Sequence, residues 1–172
     1  TLVQPYFRYV HGNNGIDVFE EDWDNLLILD ACRYDMFAAH NTLKGDLQQR
    51  VSKGSNTAEF LQRNFGGKTF DDTVYVTANP QVDVRLDEPF YETVSVWRDL
   101  WDEDFNTVRP EAMAEAILDT QERFPNKRII AHFVQPHYPF IGPTGRHHFD
   151  LDQLNFEWDS ALTGDMGISD EV

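Results

Sequence analysis

Asn25-Leu26-Leu27-Ile28-Leu29-Asp30-Ala31 is the stretch on which the fold turns. A short, continuous apolar run that closes on an acidic residue is the pattern of a strand buried on both faces of a parallel sheet. Working outward, residues 33–40 have a helical pattern. So do residues 57–65, where Phe60, Leu61 and Phe65 share one side and Gly66-Gly67 stops the helix. A second strand is predicted at 74–78, closed by Asn79-Pro80. Residues 82–106 follow no single period, although Phe90, Tyr91, Val94 and Val96 leave room for a short strand. The clearest helix is 110–124. Pro110 suits its first turn, Glu111 its positive end, and Met113, Ala116, Ile117 and Phe124 recur at helical spacing before Pro125-Asn126. Residues 128–134 form a third apolar run.

Strand, helix, strand in this order predicts an α/β fold with a mostly parallel sheet. Residues 1–23 read as an N-terminal arm, with Tyr6, Phe7 and Tyr9 ahead of the turn-rich His11-Gly12-Asn13-Asn14-Gly15. Residues 24–142 read as the body of the domain. From 143 to 172 the apolar residues scatter, and a loop-rich tail is expected.

The 172 residues carry 30 Asp and Glu against 14 Lys and Arg, a net charge of −16. Lysine occurs only at positions 44, 53, 68 and 127. A dense carboxylate surface with few lysines suits a protein that stays hydrated in concentrated salt, where a Debye length of roughly 3 Å screens its self-repulsion. The same surface repels polyanions, and the nearest approaches to a basic patch are Lys127-Arg128 and Arg146-His147-His148. Nucleic-acid binding is therefore rejected as the main function. No apolar run reaches the ~20 residues needed to cross a membrane. With no leader pattern visible, the expected compartment is the cytoplasm. Cys32 is the one cysteine, which excludes an intrachain disulfide.

Ligands of open parallel sheets bind at the carboxyl ends of the strands. Three polar stations fall there. Asp30 is a hard oxygen ligand for a divalent metal, or else a carboxylate that caps the next turn. Ser55 and Thr57, in Gly54-Ser55-Asn56-Thr57, precede a helix whose amides attract an anion that a hydroxyl could attack; the plainer reading is N-capping. His137, in Gln135-Pro136-His137-Tyr138-Pro139-Phe140, is placed to meet a substrate oxygen, or is a loop histidine. His132 lies within a strand and reads as a satisfied core histidine. His147 and His148 read as a solvated loop. Cys32 reads as a small buried thiol, because Arg33-Tyr34-Asp35-Met36 matches neither Cys-x-Pro-x-Arg nor Cys-x-Ala-x-Arg, the patterns converted to formylglycine in some sulfatases.

Three segments together resemble a known family. Residues 23–37 resemble the opening of sulfatase-like proteins of the alkaline phosphatase superfamily, in the form common in haloarchaea. Residues 54–61 resemble the nucleophile segment of that group, and 134–142 resemble its Pro-His-x-Pro substrate loop. The resemblance implies a three-layer α/β/α domain that hydrolyses or transfers a sulfate or phosphate ester through a covalent enzyme intermediate. It implies Asp30 and Ser55 as metal ligands, Ser55 as nucleophile with Thr57 as the fallback, and His137 as a contact to the substrate. Lipoteichoic-acid synthases carry Thr at the nucleophile position, followed four residues later by Glu-Phe, as Glu59-Phe60 follow Ser55 here. The implied cofactor is a divalent cation, and the implied substrate an anionic ester, glycan- or lipid-linked.

The family's later Asp-His-Gly segment does not occur in the chain. Hard cations take about six oxygens, so the expectation is an incomplete domain whose metal is not firmly held and whose missing half supplies the other ligands. A non-catalytic binding or assembly module that keeps the front of the fold is the alternative.

Overall fold

The computed structural model describes residues 15–148. Four parallel strands make the main sheet: β1 (Asn25–Leu29), β2 (Phe70–Thr77), β3 (Phe90–Ser95) and β6 (Arg128–Phe133), in the order β1-β6-β2-β3. Two short antiparallel strands, β4 (Trp101–Asp102) and β5 (Thr107–Val108), form a separate ribbon. The helices are α1 (Tyr34–His40), α2 (Thr57–Phe65), α3 (Gln81–Arg85), α4 (Pro110–Arg123) and α5 (Pro143–His148). The α/β class and the mostly parallel sheet are as the sequence predicts.

The two-residue period of the central strands sorts their side chains into two cores. Val74 and Val76 of β2, with Ile129 and Ala131 of β6, face α4, where Met113 is fully buried and Ala112, Ala116 and Ile117 pack beside it. Tyr75 and Ile130 face the other way, onto Leu61 and Phe65 of α2, Val82 of α3, and Leu86 and Phe90. Helices therefore cover both faces, giving three layers.

The edges differ from expectation. Among the described residues β1 is not buried on both faces: it ends the sheet, Leu27 is 60% exposed, and Leu29 is 36% exposed. Leu26 and Ile28 pack into the α2-side core, while Leu27 pairs in register with Ala131 on the face that α4 covers only farther along the sheet. The apolar run identified a strand correctly but overstated its burial. β2 begins at Phe70, four residues before its apolar stretch, because Phe70 pairs with Phe90 of β3 across a register shift at the exposed Asp71 and Asp72, whereas β6 joins only from Thr73. The expected short strand within 82–106 is β3. Residues 143–148 form a helical turn and a half rather than loop. The rest of the expected tail, and the arm before residue 15, lie outside the described residues.

The end of the arm belongs to the fold. Asp17 and Val18 are buried, Ile16 pairs with Ser52, and Phe19 stacks on Phe70 with ring centroids 3.9 Å apart. Asp17 accepts from Lys53 Nζ and Lys68 Nζ, both at 2.8 Å, and from the Phe19 amide at 3.0 Å. The chain from 15 to 19 thus clamps the loop that leads into α2.

Candidate functional site

The site lies at the carboxyl edge of β1, β6 and β2, where α2 begins. Asp30 directly follows β1. Its amide donates to Phe133 O at 3.3 Å, and its carbonyl accepts from the His137 amide at 3.0 Å, so the end of β1 is stitched to the loop after β6. Ala31 then takes φ 58°, a left-handed conformation that costs a non-glycine residue about 1 kcal/mol or more. With Cys32 N donating to Leu29 O at 3.1 Å, the chain turns away sharply and leaves the Asp30 side chain at the strand's tip.

The start of α2 is fixed by three residues. Asn56 is the N-cap, and its Oδ1 accepts from the Glu59 amide at 2.9 Å. Glu59 reaches back, and its Oε2 accepts from both the amide and the hydroxyl of Ser55 at 2.8 Å. These bonds, led by the one from the Ser55 amide, hold the Glu59 carboxyl below its ordinary range. Gly54 packs so closely on the first turn that a Cβ there would meet the backbone of Phe60, which excludes any larger residue.

This arrangement separates the two candidate hydroxyls. Ser55 is exposed and its hydroxyl is occupied by Glu59. Thr57, the first helical residue, donates its hydroxyl to Asp30 Oδ2 at 3.0 Å. The hydroxyl that meets the candidate metal ligand is therefore that of Thr57, the fallback in the sequence reading. Asn79, just past β2, donates its side-chain amide to the same oxygen at 3.1 Å.

Behind Asp30 lies His132, 1% exposed, with Nε2 3.8 Å from Asp30 Oδ2 and Nδ1 2.9 Å from the Tyr75 hydroxyl. Burial pushes the imidazole down to about 4, against the opposing pull of the Asp30 carboxylate, so the ring is neutral at pH 7. Burial, then Asp30, raises the Tyr75 phenol well above its ordinary value, so Tyr75 is a donor. With Tyr75 donating to Nδ1, the ring proton falls on Nε2, the nitrogen that faces Asp30. His132 is the satisfied core histidine expected from the sequence, and it also adjoins the site.

His137 comes to this edge by its backbone, whose amide is shared between Asp30 O and Val134 O. Its ring is exposed, with Nδ1 2.6 Å from Tyr138 O. A ring that donates from Nδ1 presents Nε2 as an acceptor when neutral and as a donor only when protonated. Gln135 steadies the same loop from below, its amide nitrogen donating to Thr107 Oγ1 and Val108 O of β5. Cys32 is half-buried and free. His147 and His148 are exposed on α5, and no contact places them beside Asp30. Among the described residues no group of three or more His, Cys, Asp and Glu is placed to hold a metal ion, and no helix is long and apolar enough to cross a membrane.

The sequence reading missed Asn79 and Tyr75. Asn79 could have been found by the rule that found Asp30, since it too stands at the carboxyl end of a parallel strand. Tyr75 reads as core, and only the sheet's register brings it under His132. Comparison with protein-family models, with curated proteins and with solved structures gives no match.

Proposed function

We propose that this chain carries part of the catalytic site of a metal-dependent hydrolase or transferase acting on a sulfate or phosphate ester, as in the sulfatase-like proteins its motifs resemble, with Thr57 as nucleophile. The observation that carries the reading is the 3.0 Å hydrogen bond from Thr57 Oγ1 to Asp30 Oδ2 at the N-terminus of α2.

Because the Thr57 O–H points at Asp30, its lone pairs point elsewhere, free to approach an ester. Asn56 occupies the Glu59 and Phe60 amides, which leaves those of Thr57 and Ala58 at the positive end of the helix for the ester's anionic oxygens. Attack forms a bond from Oγ1 to phosphorus or sulfur, expels the ester's alcohol, and releases the proton along the existing hydrogen bond to Asp30. Water then restores the hydroxyl, or an acceptor alcohol takes the group. A protonated His137 would supply a donor to the anion or to the leaving oxygen.

Asp30 and Thr57 present hard oxygens of the kind a divalent cation takes. They fit such an ion in type but are too few to hold it, and further ligands would come from outside the described residues. A bound cation would supply charge neutralisation at the nucleophile and the ester oxygens.

The test is an assay of the product of the whole reading frame that contains this sequence. It uses 4-nitrophenyl phosphate and 4-nitrophenyl sulfate with Mn²⁺, in molar salt. Thr57→Val is expected to lower turnover about a thousandfold or more, while Ser55→Ala stays within about threefold of the parent. The reverse order would return the nucleophile to Ser55. No metal-dependent turnover by the parent would favour the binding or assembly module instead.

A further inference from the structure

Among the described residues, every polar side-chain contact to the Asp30 carboxylate falls on one of its two oxygens. Oδ2 accepts from Thr57 Oγ1 at 3.0 Å and from Asn79 Nδ2 at 3.1 Å, and faces His132 Nε2 at 3.8 Å. Among the described residues Oδ1 has no hydrogen-bond donor. An ionised carboxylate can accept on both of its oxygens. Here one oxygen is saturated by the protein and the other is left open, on a side chain that is still 15% exposed.

Asn79 is built for this contact. It is 2% exposed at the end of β2, and it reaches Asp30 across the intervening strand β6. Its amide plane has no freedom to flip. Oδ1 accepts from the Gln81 amide at 3.0 Å, which forces Nδ2, the only donating end, toward the carboxylate. The backbone beneath is locked too, because Asn79 N donates to Thr77 Oγ1 at 2.9 Å and Thr77 Oγ1 donates to Asn79 O at 3.1 Å.

We propose that Asn79 is a positioning residue of the site. By donating to Oδ2 it sets the rotation of the Asp30 carboxylate, so that Oδ1 is the atom offered to a bound cation and Oδ2 the atom that holds Thr57. The proposal rests on the functional reading above for the cation, and on the structure alone for the orientation. It also accounts for an amide at this position, since an aspartate there would set two carboxylates about 3 Å apart.

The discriminating variant is Asn79→Ser. A serine hydroxyl still accepts from the Gln81 amide in an ST-turn but is too short to reach Asp30. Its crystal structure is expected to show the Asp30 carboxylate rotated or split between rotamers, with the Thr57 bond lost in part. An unmoved Asp30 overturns the proposal. The second measurement is Mn²⁺ binding by the product of the whole reading frame that contains this sequence, followed by electron paramagnetic resonance. Asp30→Asn should abolish specific binding, and Asn79→Ser should weaken it about tenfold or more, as loss of a ligand's hydrogen-bond partner typically does. Wild-type affinity in Asn79→Ser also overturns the proposal. If that wild-type product binds no Mn²⁺, the metal reading falls, and the crystallographic result still decides the positioning role. Should Asn79→Ser fail to fold, the wild-type Asn79 side-chain NH₂ resonances replace it. One slowly exchanging proton, displaced in Asp30→Asn, supports the proposal, and two freely exchanging protons overturn it.

Discussion

Neutralising Asp17 should loosen the clamp on the loop that delivers Ser55 and Thr57 to α2. Asp17 is 7% exposed. Burial alone would raise its affinity for protons, but the hydrogen bonds from Lys53, Lys68 and the Phe19 amide outweigh it and lower the pKa from 3.8 to about 2. Proton linkage converts that difference into about 2 kcal/mol of folding stability. The folded pKa lies below the unfolded one, so this contribution is fully present above pH 3.8. It shrinks as pH falls toward 2 and is absent below it, leaving about 1 kcal/mol at pH 3. Asp17→Asn keeps an acceptor for the Phe19 amide and removes only the charge. Urea unfolding of the wild type and Asp17→Asn, at fixed ionic strength, should give a difference of about 2 kcal/mol at pH 6 and about half of it at pH 3. A difference that does not change between those pH values, or that stays below about 0.5 kcal/mol at pH 6, would refute the electrostatic account of the clamp.

Two further outcomes are expected. Tyr75→Phe should cost about 1–3 kcal/mol in urea unfolding, because it leaves the buried His132 Nδ1 without its donor while the ring keeps its packing against Phe90, 4.6 Å away; a neutral result would mean that His132 finds another partner. Lowering NaCl from molar to 0.1 M should reduce the thermal midpoint followed by circular dichroism, since the net charge of −16 is then unscreened over ~10 Å; an unchanged midpoint would remove the case for salt adaptation.

The elements with one dominant signal were legible in the sequence. Pro110 at the start of α4, Gly66-Gly67 after α2 and the apolar run of β6 each mark a boundary by local chemistry, and local chemistry survives folding. The misreadings arose where position in the sheet decides. Leu27 and Leu29 look as buried as Ile129 and Ile130 in the sequence, but they differ because β1 is an edge and β6 is not. In the site, Asp30 was legible as a strand-end carboxylate. The choice between Ser55 and Thr57 was not, because it depends on Asn56 being the cap and on Glu59 turning back to Ser55. The link from Tyr75 through His132 to Asp30 was hidden because the first two stand 57 positions apart in the sequence.

The position of β1 also governs when the site exists. Among the described residues β1 pairs only with β6, in a register that joins Asn25 to Ile129 and Leu29 to Phe133, about a hundred residues away in the chain. Closing so long a loop is slow, and opening of β1 would also withdraw Leu26 and Ile28 from the α2-side core. Asp30 would leave with the strand, parting from Thr57, Asn79 and the His137 amide together. Assembly of the site is thereby tied to the long-range closure that seats β1 on β6.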